Sequence, residues 1–288
     1  MSTVLTTPAA ATTTPAARAR SRSPLAWVRE HIILLIAGLA FVYLMAPNVV
    51  VVLFSFNRPS GRFNYTWQHF SLNAWLHPCG APGLCEALGL SLQIGLLATL
   101  LSTTIGTLAA FALARHRFRG RSATNLLIFL PMATPEVVMG SSLLTLFVSL
   151  RVPLGATTIL IAHVMFDISF VIVTVKARIA GLDPRLEQAA MDLYANERQT
   201  FLRVTLPLVL PGIGAAALLA FALSFDDYII TNFNASSSSV TFPMYVYGAA
   251  SRGTPVQINV IGTVMFVLAL VAVGIGQLAA RRRGRGNA

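Results

Sequence analysis

Four carboxylates stand inside otherwise apolar stretches of the sequence: Glu136, Asp167 and the adjacent pair Asp226 and Asp227. An acid at the centre of a membrane-spanning helix costs about 2.5–3.5 kcal/mol on insertion scales, so it turns from lipid toward a partner or a watery path. No base within these stretches offers itself as the partner. Unpaired acids so placed suit the passage of a cationic solute; the competing use is a carboxylate bonded to backbone or to a neighbouring chain. By residue count Glu136 and Asp167 fall near mid-membrane. Asp226 and Asp227 fall about 9 Å past the centre of their stretch, toward its outer end. On a continuous helix adjacent residues diverge by about 100°. The pair cannot face one way, but one acid can line a path while the other meets a neighbour. Phe225, Tyr228 and Phe233 can stack on alkyl-ammonium groups, or can serve as packing and interfacial anchors.

Other chemistries lack their residues. A phosphate-cradling G-x-x-x-x-G-K-[ST] loop needs Lys after Gly, and the one lysine, Lys176, follows Val175. There is no G-x-S-x-G elbow and no H-E-x-x-H, and the five histidines are scattered. The expectation is a chain with no catalytic residue, metal or cofactor; ATP and Mg, if they drive it, bind other subunits. Cys79 and Cys85 form a C-x5-C pair among Pro78, Gly80, Pro82 and Gly83. In an oxidising compartment they can close a small disulfide loop contributing about 2–3 kcal/mol; the alternative is two free thiols.

The elements that must carry these residues follow from composition. Of 288 residues 55% are hydrophobic and only 11% charged, under half the charged share of about 25% usual in soluble domains. Mean hydropathy is +0.70. A spanning helix needs roughly 20 apolar residues. Six stretches qualify: Ile32 to Phe54, Ala87 to Ala114, Thr124 to Leu150, Thr157 to Val175, Leu208 to Thr231 and Val256 to Ala280. Pro131, Pro135 and Gly140 predict a kink in the third. The expected fold is an all-α membrane protein of six transmembrane helices.

The net charge of +11 is unevenly spread: 17 of the 21 bases fall in the N-terminal segment, after the second and fourth spans, and after the sixth. Arg58, Arg62, Arg151 and Arg252 alone fall on the other side. That split puts both termini in the cytoplasm, and clusters that alternate with spans argue against nucleic acid. Contact with anionic lipid is a secondary use. Residues 1–30 read as a disordered basic tail, 31–283 as the membrane domain with a cytoplasmic loop at 177–206, and 284–288 as a short tail. The first apolar run is too long for a signal-peptide core and is expected to remain as a span.

The loop itself has a pattern. Asp183 is a helix N-cap with Pro184 at the first helical position. Leu186, Ala189, Ala190 and Leu193 then recur at i, i+3, i+4 and i+7, opposite Arg185, Gln188 and Asp192. Asn196 and Gln199 have the spacing of a second cap, and Pro207 and Pro211 mark entry to the fifth span. Such a knob either docks in a partner's groove or packs on its own bundle.

This segment resembles the EAA loop of ABC-importer permeases, E-A-A-x-x-x-G, about nine residues, then I-x-L-P. Gln188, Ala189 and Ala190 stand at E-A-A, with Glu187 beside them; Tyr194 stands at the Gly, and Val204, Leu206 and Pro207 at I-x-L-P. A Tyr at a position favouring φ > 0 is strained, so either the turn shifts to Ala195 and Asn196 or the helices meet differently. The resemblance covers about 200 residues from the second span onward. It narrows to the second permease of spermidine/putrescine importers, through LPMATPEVVMGSSLL (130–144), HVMFDISFVIVTVKAR (163–178), LSFDDYIITNF (223–233) and FPMYVY (242–247). It implies a type I importer of a bacterial inner membrane: two permeases, two cytoplasmic ATPases and an external binding protein. It implies that Glu187, Gln188, Ala189, Ala190, Leu193, Tyr194, Leu206 and Pro207 couple to an ATPase. Polyamines are multiply protonated, so Asp226, Asp227, Glu136, Asp167 and Tyr228 are the candidate pathway residues. The alternatives are an ABC importer for iron(III), an opine or an anion, or a proton-driven carrier working through Asp226 and Glu136.

Overall fold

The computed structural model describes residues 24–116 and 118–285. The bases Arg18, Arg20 and Arg22 of the expected tail, and Arg117, lie outside the described residues, as do residues 286–288 of the short C-terminal tail. Among the described residues the chain is helical, with one isolated antiparallel bridge, Asn57 to Phe70. In order come α1 (Pro24–Phe54), α2 (Asn73–Leu76), α3 (Leu84–Arg115), α4 (Arg121–Ala133), α5 (Glu136–Ser149) and α6 (Ala156–Ala180). There follow α7 (Arg185–Asp192), α8 (Glu197–Thr200), a π turn (Phe201–Thr205), α9 (Leu206–Asp226), α10 (Ile229–Asn234), α11 (Phe242–Arg252) and α12 (Val256–Arg285).

Five described segments are each long and apolar enough to cross a bilayer: α1, α3, α6, the run Glu197–Asp226, and α12; α4 and α5 together make a sixth. That sixth is not the kinked helix expected from 124 to 150, because α4 and α5 meet at 106°. Pro135 disfavours helical geometry at the residue before it. Thr134 is accordingly extended (φ −83°, ψ 131°), and so is Pro135 (φ −57°, ψ 134°). The fifth span also differs from 208–231: it starts at Glu197 and stops at Asp226. Pro207 falls in the first turn of α9, where a missing N–H costs little.

The chain divides after Val50 into two compact units. The first carries α1 up to that point, apolar and with Pro47 inside it; the helix begins at Pro24, within the stretch read as tail. In the second, α3, α6 and α9 pack most extensively on one another. Within lipid, helices associate by close approach of small residues rather than by a hydrophobic drive. Gly106 does this on α3: a Cβ there would lie 2.6 Å from Val171 Cγ1. Ala110, Val175, Val209, Ala216 and Ala220 are buried along the same seam. α5 packs on α10 in the same manner, Gly140 lying against the Phe233 ring.

The segment between α1 and α3 folds on itself without a sheet. Asn57 Nδ2 donates to Asn64 Oδ1 (2.7 Å) and to the Thr66 carbonyl (2.8 Å), and Asn57 Oδ1 accepts from the Gln68 amide (2.9 Å). Phe56 lies between the rings of Phe70 and Trp75. Cys79 and Cys85 are joined in a disulfide, Cα atoms 5.4 Å apart, at the entry to α3.

Candidate functional site

Two helix breaks bring the acids together. The first, at Thr134–Pro135, puts Glu136 in the first turn of α5, where the helix dipole favours an acid. The second is an unwound Asp227–Tyr228 step between α9 and α10, with Asp227 extended (φ −64°, ψ 124°). One cavity of about 400 Å³ is then lined by Glu136, Phe166, Leu223, Asp226, Asp227, Tyr228 and Ile229. A second, of about 380 Å³, adjoins it through the shared Asp226 and Tyr228 and is walled by Phe225, Phe242, Pro243, Val246 and Tyr247. Tyr228 and Tyr247 stack with centroids 4.4 Å apart, and Phe225 faces Phe242 at 6.1 Å.

The adjacent acids have separate surroundings. Asp227 is turned inward: Oδ2 accepts from the Thr231 amide (2.7 Å) and the Thr231 hydroxyl (2.7 Å), and Oδ1 from the Ile230 amide (3.3 Å). It thereby satisfies the free amides that open α10. His163 of α6 completes the cluster, Nε2 lying 3.3 Å from Asp227 Oδ2 and 2.9 Å from Thr231 Oγ1, Nδ1 2.7 Å from Ser224 Oγ. The Thr231 hydroxyl donates to Asp227 and so accepts from His163 Nε2, which therefore carries a hydrogen. Among the described residues Asp226 takes no hydrogen bond from another side chain, and it opens to both cavities. The divergence expected of a continuous helix comes instead from a chain break, and the base absent from the sequence expectation is His163. The signal was available: an apolar helix carrying one histidine has the same problem as one carrying an acid.

Asp167 stands apart. It does not line the acid cavity; it is 0% exposed, and neither carboxylate oxygen has a hydrogen-bond partner among the described residues. Phe233 packs on Gly140 rather than lining either cavity.

The loop helix α7 is fixed on one side and free on the other. The Asp183 carboxylate accepts from the Arg185 amide (2.9 Å), and α7 begins just after Pro184. Glu187 is gripped by the Arg115 guanidinium at the end of α3 and by the Thr205 hydroxyl (2.6 Å) of the π turn. Arg115 also lies over the Phe201 ring, which meets Phe111 edge-on. The opposite side of α7, with Gln188, Ala189 and Leu193, is exposed, Ala190 is half-buried, and Leu193 is 81% exposed. Asn196 and Gln199 exchange the two bonds of a capping box (2.8 and 3.1 Å).

The turn at Tyr194 does not shift. Ala195 N donates to Ala190 O (3.1 Å) and Tyr194 N to Met191 O (2.9 Å), the paired bonds of a helix end that favours glycine at its left-handed residue. That residue is Tyr194 itself, at φ +62°. A side chain there costs about 1–2 kcal/mol.

An all-α bundle of apolar spans, an acid-lined cavity at two helix breaks and a protruding amphipathic loop define a membrane permease. Residues 102–284 match the sequence profile of the binding-protein-dependent transport system inner membrane component, and the chain belongs to that family. It is a multi-pass inner-membrane transport component that works with partners. Among its relatives is the spermidine/putrescine transport system permease protein PotC of Escherichia coli (strain K12), 36% identical over 247 residues, 86% of this chain and 93% of that protein. Another is the putrescine transport system permease protein PotI of the same organism, 37% identical and covering 85% of this chain and 87% of that protein. The fold is shared with a chain of a bacterial ABC transporter that imports the acidic polysaccharide alginate (TM-score 0.60, 16% identity, 90% of this chain, 98% of the other). It is shared also with a chain of an amino acid ABC transporter crystallised with histidines (TM-score 0.56, 16% identity, 75% and 100%).

Proposed function

We propose that this chain is one permease of an ATP-driven importer of polyamines such as spermidine and putrescine. The observation that carries this is the acid cavity, where Glu136 and Asp226 stand beside an aromatic-walled chamber. A protonated amine meets the Asp226 carboxylate, and the methylene chain lies along Tyr228, Tyr247 and Phe242. Charge-assisted hydrogen bonds are roughly twice as strong as neutral ones, and aromatic faces attract alkyl-ammonium groups. Asp227 holds α10 in place and adds negative potential behind the site. Names of relatives alone would allow a polyamine system; the juxtaposition of free acid and aromatic wall supports it from the chain's own chemistry.

The proposed assembly has a second permease, two ATPases that bind ATP and Mg, and an external binding protein. This chain contributes no catalytic group. Both termini and α7 face the cytoplasm, in keeping with the distribution of bases, and the bases near the membrane surface meet anionic lipid headgroups. Closure of the ATPases on nucleotide pushes α7. Glu187 passes the displacement to α3 through Arg115 and to α9 through Thr205, and α9 ends at Asp226. The cavity therefore opens to one side or the other as the loop moves, and transport follows from differing affinity in the two states.

The test is uptake by the whole complex in proteoliposomes. Labelled spermidine or putrescine should enter only with ATP and the binding protein present, and in permease vesicles stripped of the ATPases a Leu193→Cys variant should be labelled only from the side that binds them. Full uptake in vesicles free of any ATPase would remove the ABC assignment, and competition by anions but not by amines would remove the substrate.

A further inference from the structure

Among the described residues Asp167 is the one acid that is fully covered and has no hydrogen-bond partner on either carboxylate oxygen. A buried carboxyl group without a partner is costly, so its presence needs a compensating gain. On α6 it stands one turn after His163, which meets α9 and α10, and one turn before Val171, which packs on Gly106 of α3. α3 and α6 run the same way through the membrane: α3 ends at Arg115, bound to Glu187, and α6 ends at Ala180, just before the same loop. One turn back along both helices from the Gly106–Val171 contact, Thr103 is therefore level with Asp167. The hydroxyls of Thr103 and of Thr107, one turn further on, are likewise buried without a partner. Buried polar groups are ordinarily bonded, and each exception asks for an explanation. Among the described residues no hydrogen bond or ion pair joins α3 to α6. Close packing at Gly106 and Ala110 holds the seam, and it can part without breaking a polar bond.

We infer that Asp167, with the hydroxyls of Thr103 and Thr107, is a second ammonium-binding station on the translocation path, covered here and opened when α3 draws away from α6. This rests on the importer proposal above. An ammonium group donates up to three hydrogens, and one carboxylate and two hydroxyls supply oxygens to accept them. The position suits a second station. Asp167 lies one turn, about 6 Å along α6, from the His163–Asp227 pair toward the loop, on the inner side of the cavity that holds Asp226. The lever is present as well: Arg115 ties the end of α3 to Glu187 of α7, so displacement of the loop reaches the helix that covers Asp167. The partner permease does not supply the missing bond, because this chain alone already covers the residue. A water fixed in the seam is the competing explanation, and it requires a seam that stays closed.

The two cysteines of the chain are joined to each other, so a Thr103→Cys variant carries a single free thiol. In the reconstituted complex, its reaction with a small cationic thiol reagent is followed by the mass of this chain, without nucleotide and with ATP trapped by vanadate. The thiol should react in one of these states and be shielded in the other. Spermidine should slow the reaction in the open state, and adding Asp167→Asn should abolish that protection. Thr107→Cys reports on the same seam should Thr103→Cys fail to assemble. Asp167→Asn alone should lower uptake about 10-fold with no fall in melting temperature, because no bond is lost. A thiol equally reactive or equally shielded in both states, or one that spermidine does not protect, would overturn the inference and leave the importer proposal standing. So would wild-type uptake by Asp167→Asn, or a lowered melting temperature. Absence of ATP-driven polyamine uptake by the wild-type complex would overturn both.

Discussion

The two ends of α9 solve a similar problem with opposite remainders. At one end Asp227 is consumed within the chain by His163, Thr231 and the amides of α10, and its neighbour Asp226 stays open to the cavities. At the other, Glu187 is consumed by Arg115 and Thr205, and its neighbour Gln188 begins an exposed face with Ala189 and Leu193. In each pair one side chain builds the scaffold and the next faces outward. The difference lies in what is left over: negative charge at the cavity end, apolar and aromatic surface at the loop end. The first remainder fits a small cation, the second a folded partner, and adjacent residues of like chemistry should therefore give unlike phenotypes.

The largest effect is expected at the cavity. Asp226→Asn removes a charge-assisted contact of about 1.5–3 kcal/mol, so uptake should fall about 10- to 150-fold with an unchanged melting temperature. Equal loss of stability would break the distinction between Asp226 and Asp227. Next comes the loop: Leu193→Glu buries a charge in the proposed ATPase interface and should weaken docking by about 30-fold or more, read by co-isolation of the ATPase. Retained co-isolation would move the interface elsewhere.

Smaller effects sharpen the scaffold half of the comparison. Asp227→Asn weakens the acceptor of several buried donors and should cost about 1–3 kcal/mol, seen as a lower melting temperature even without substrate. Gly140→Ala places a Cβ 2.8 Å from the Phe233 ring and 3.4 Å from Ile230 Cα. Overpacking of that kind costs about 1–3 kcal/mol, and melting should show it. Glu187→Gln should have the smallest effect on stability, about 0.2–1 kcal/mol for a part-exposed ion pair. Its larger signature should be ATP hydrolysis no longer matched by uptake.

Much of this organisation was legible in the residues. Apolar length located the spans, because bilayer thickness leaves little freedom in how long a spanning helix can be. The period of Leu186, Ala189, Ala190 and Leu193 located α7. The three acids Glu136, Asp226 and Asp227 stand out from apolar sequence, and they do share a cavity. What was not legible depended on tertiary placement. Asp227 and His163 are 64 positions apart, and only the packing of α6 on α9 and α10 unites them. The α4–α5 bend was visible as Pro131 and Pro135, but the two extended residues that make it 106° were not. Asp167 looked like the other acids by composition, yet its position on α6 seals it from the cavity. At Tyr194 steric preference left open a shifted turn or a different meeting of the two helices, and the paired backbone bonds at the end of α7 keep the turn in place.

The most direct measurement compares ATP-dependent spermidine uptake by the reconstituted importer carrying Asp226→Asn with that of the wild type, with ATPase stoichiometry determined on the same vesicles. A steep loss of uptake with the full complement of ATPase still bound is the expected result. Wild-type uptake from the Asp226→Asn complex would contradict the assignment of the open acid to the translocated cation.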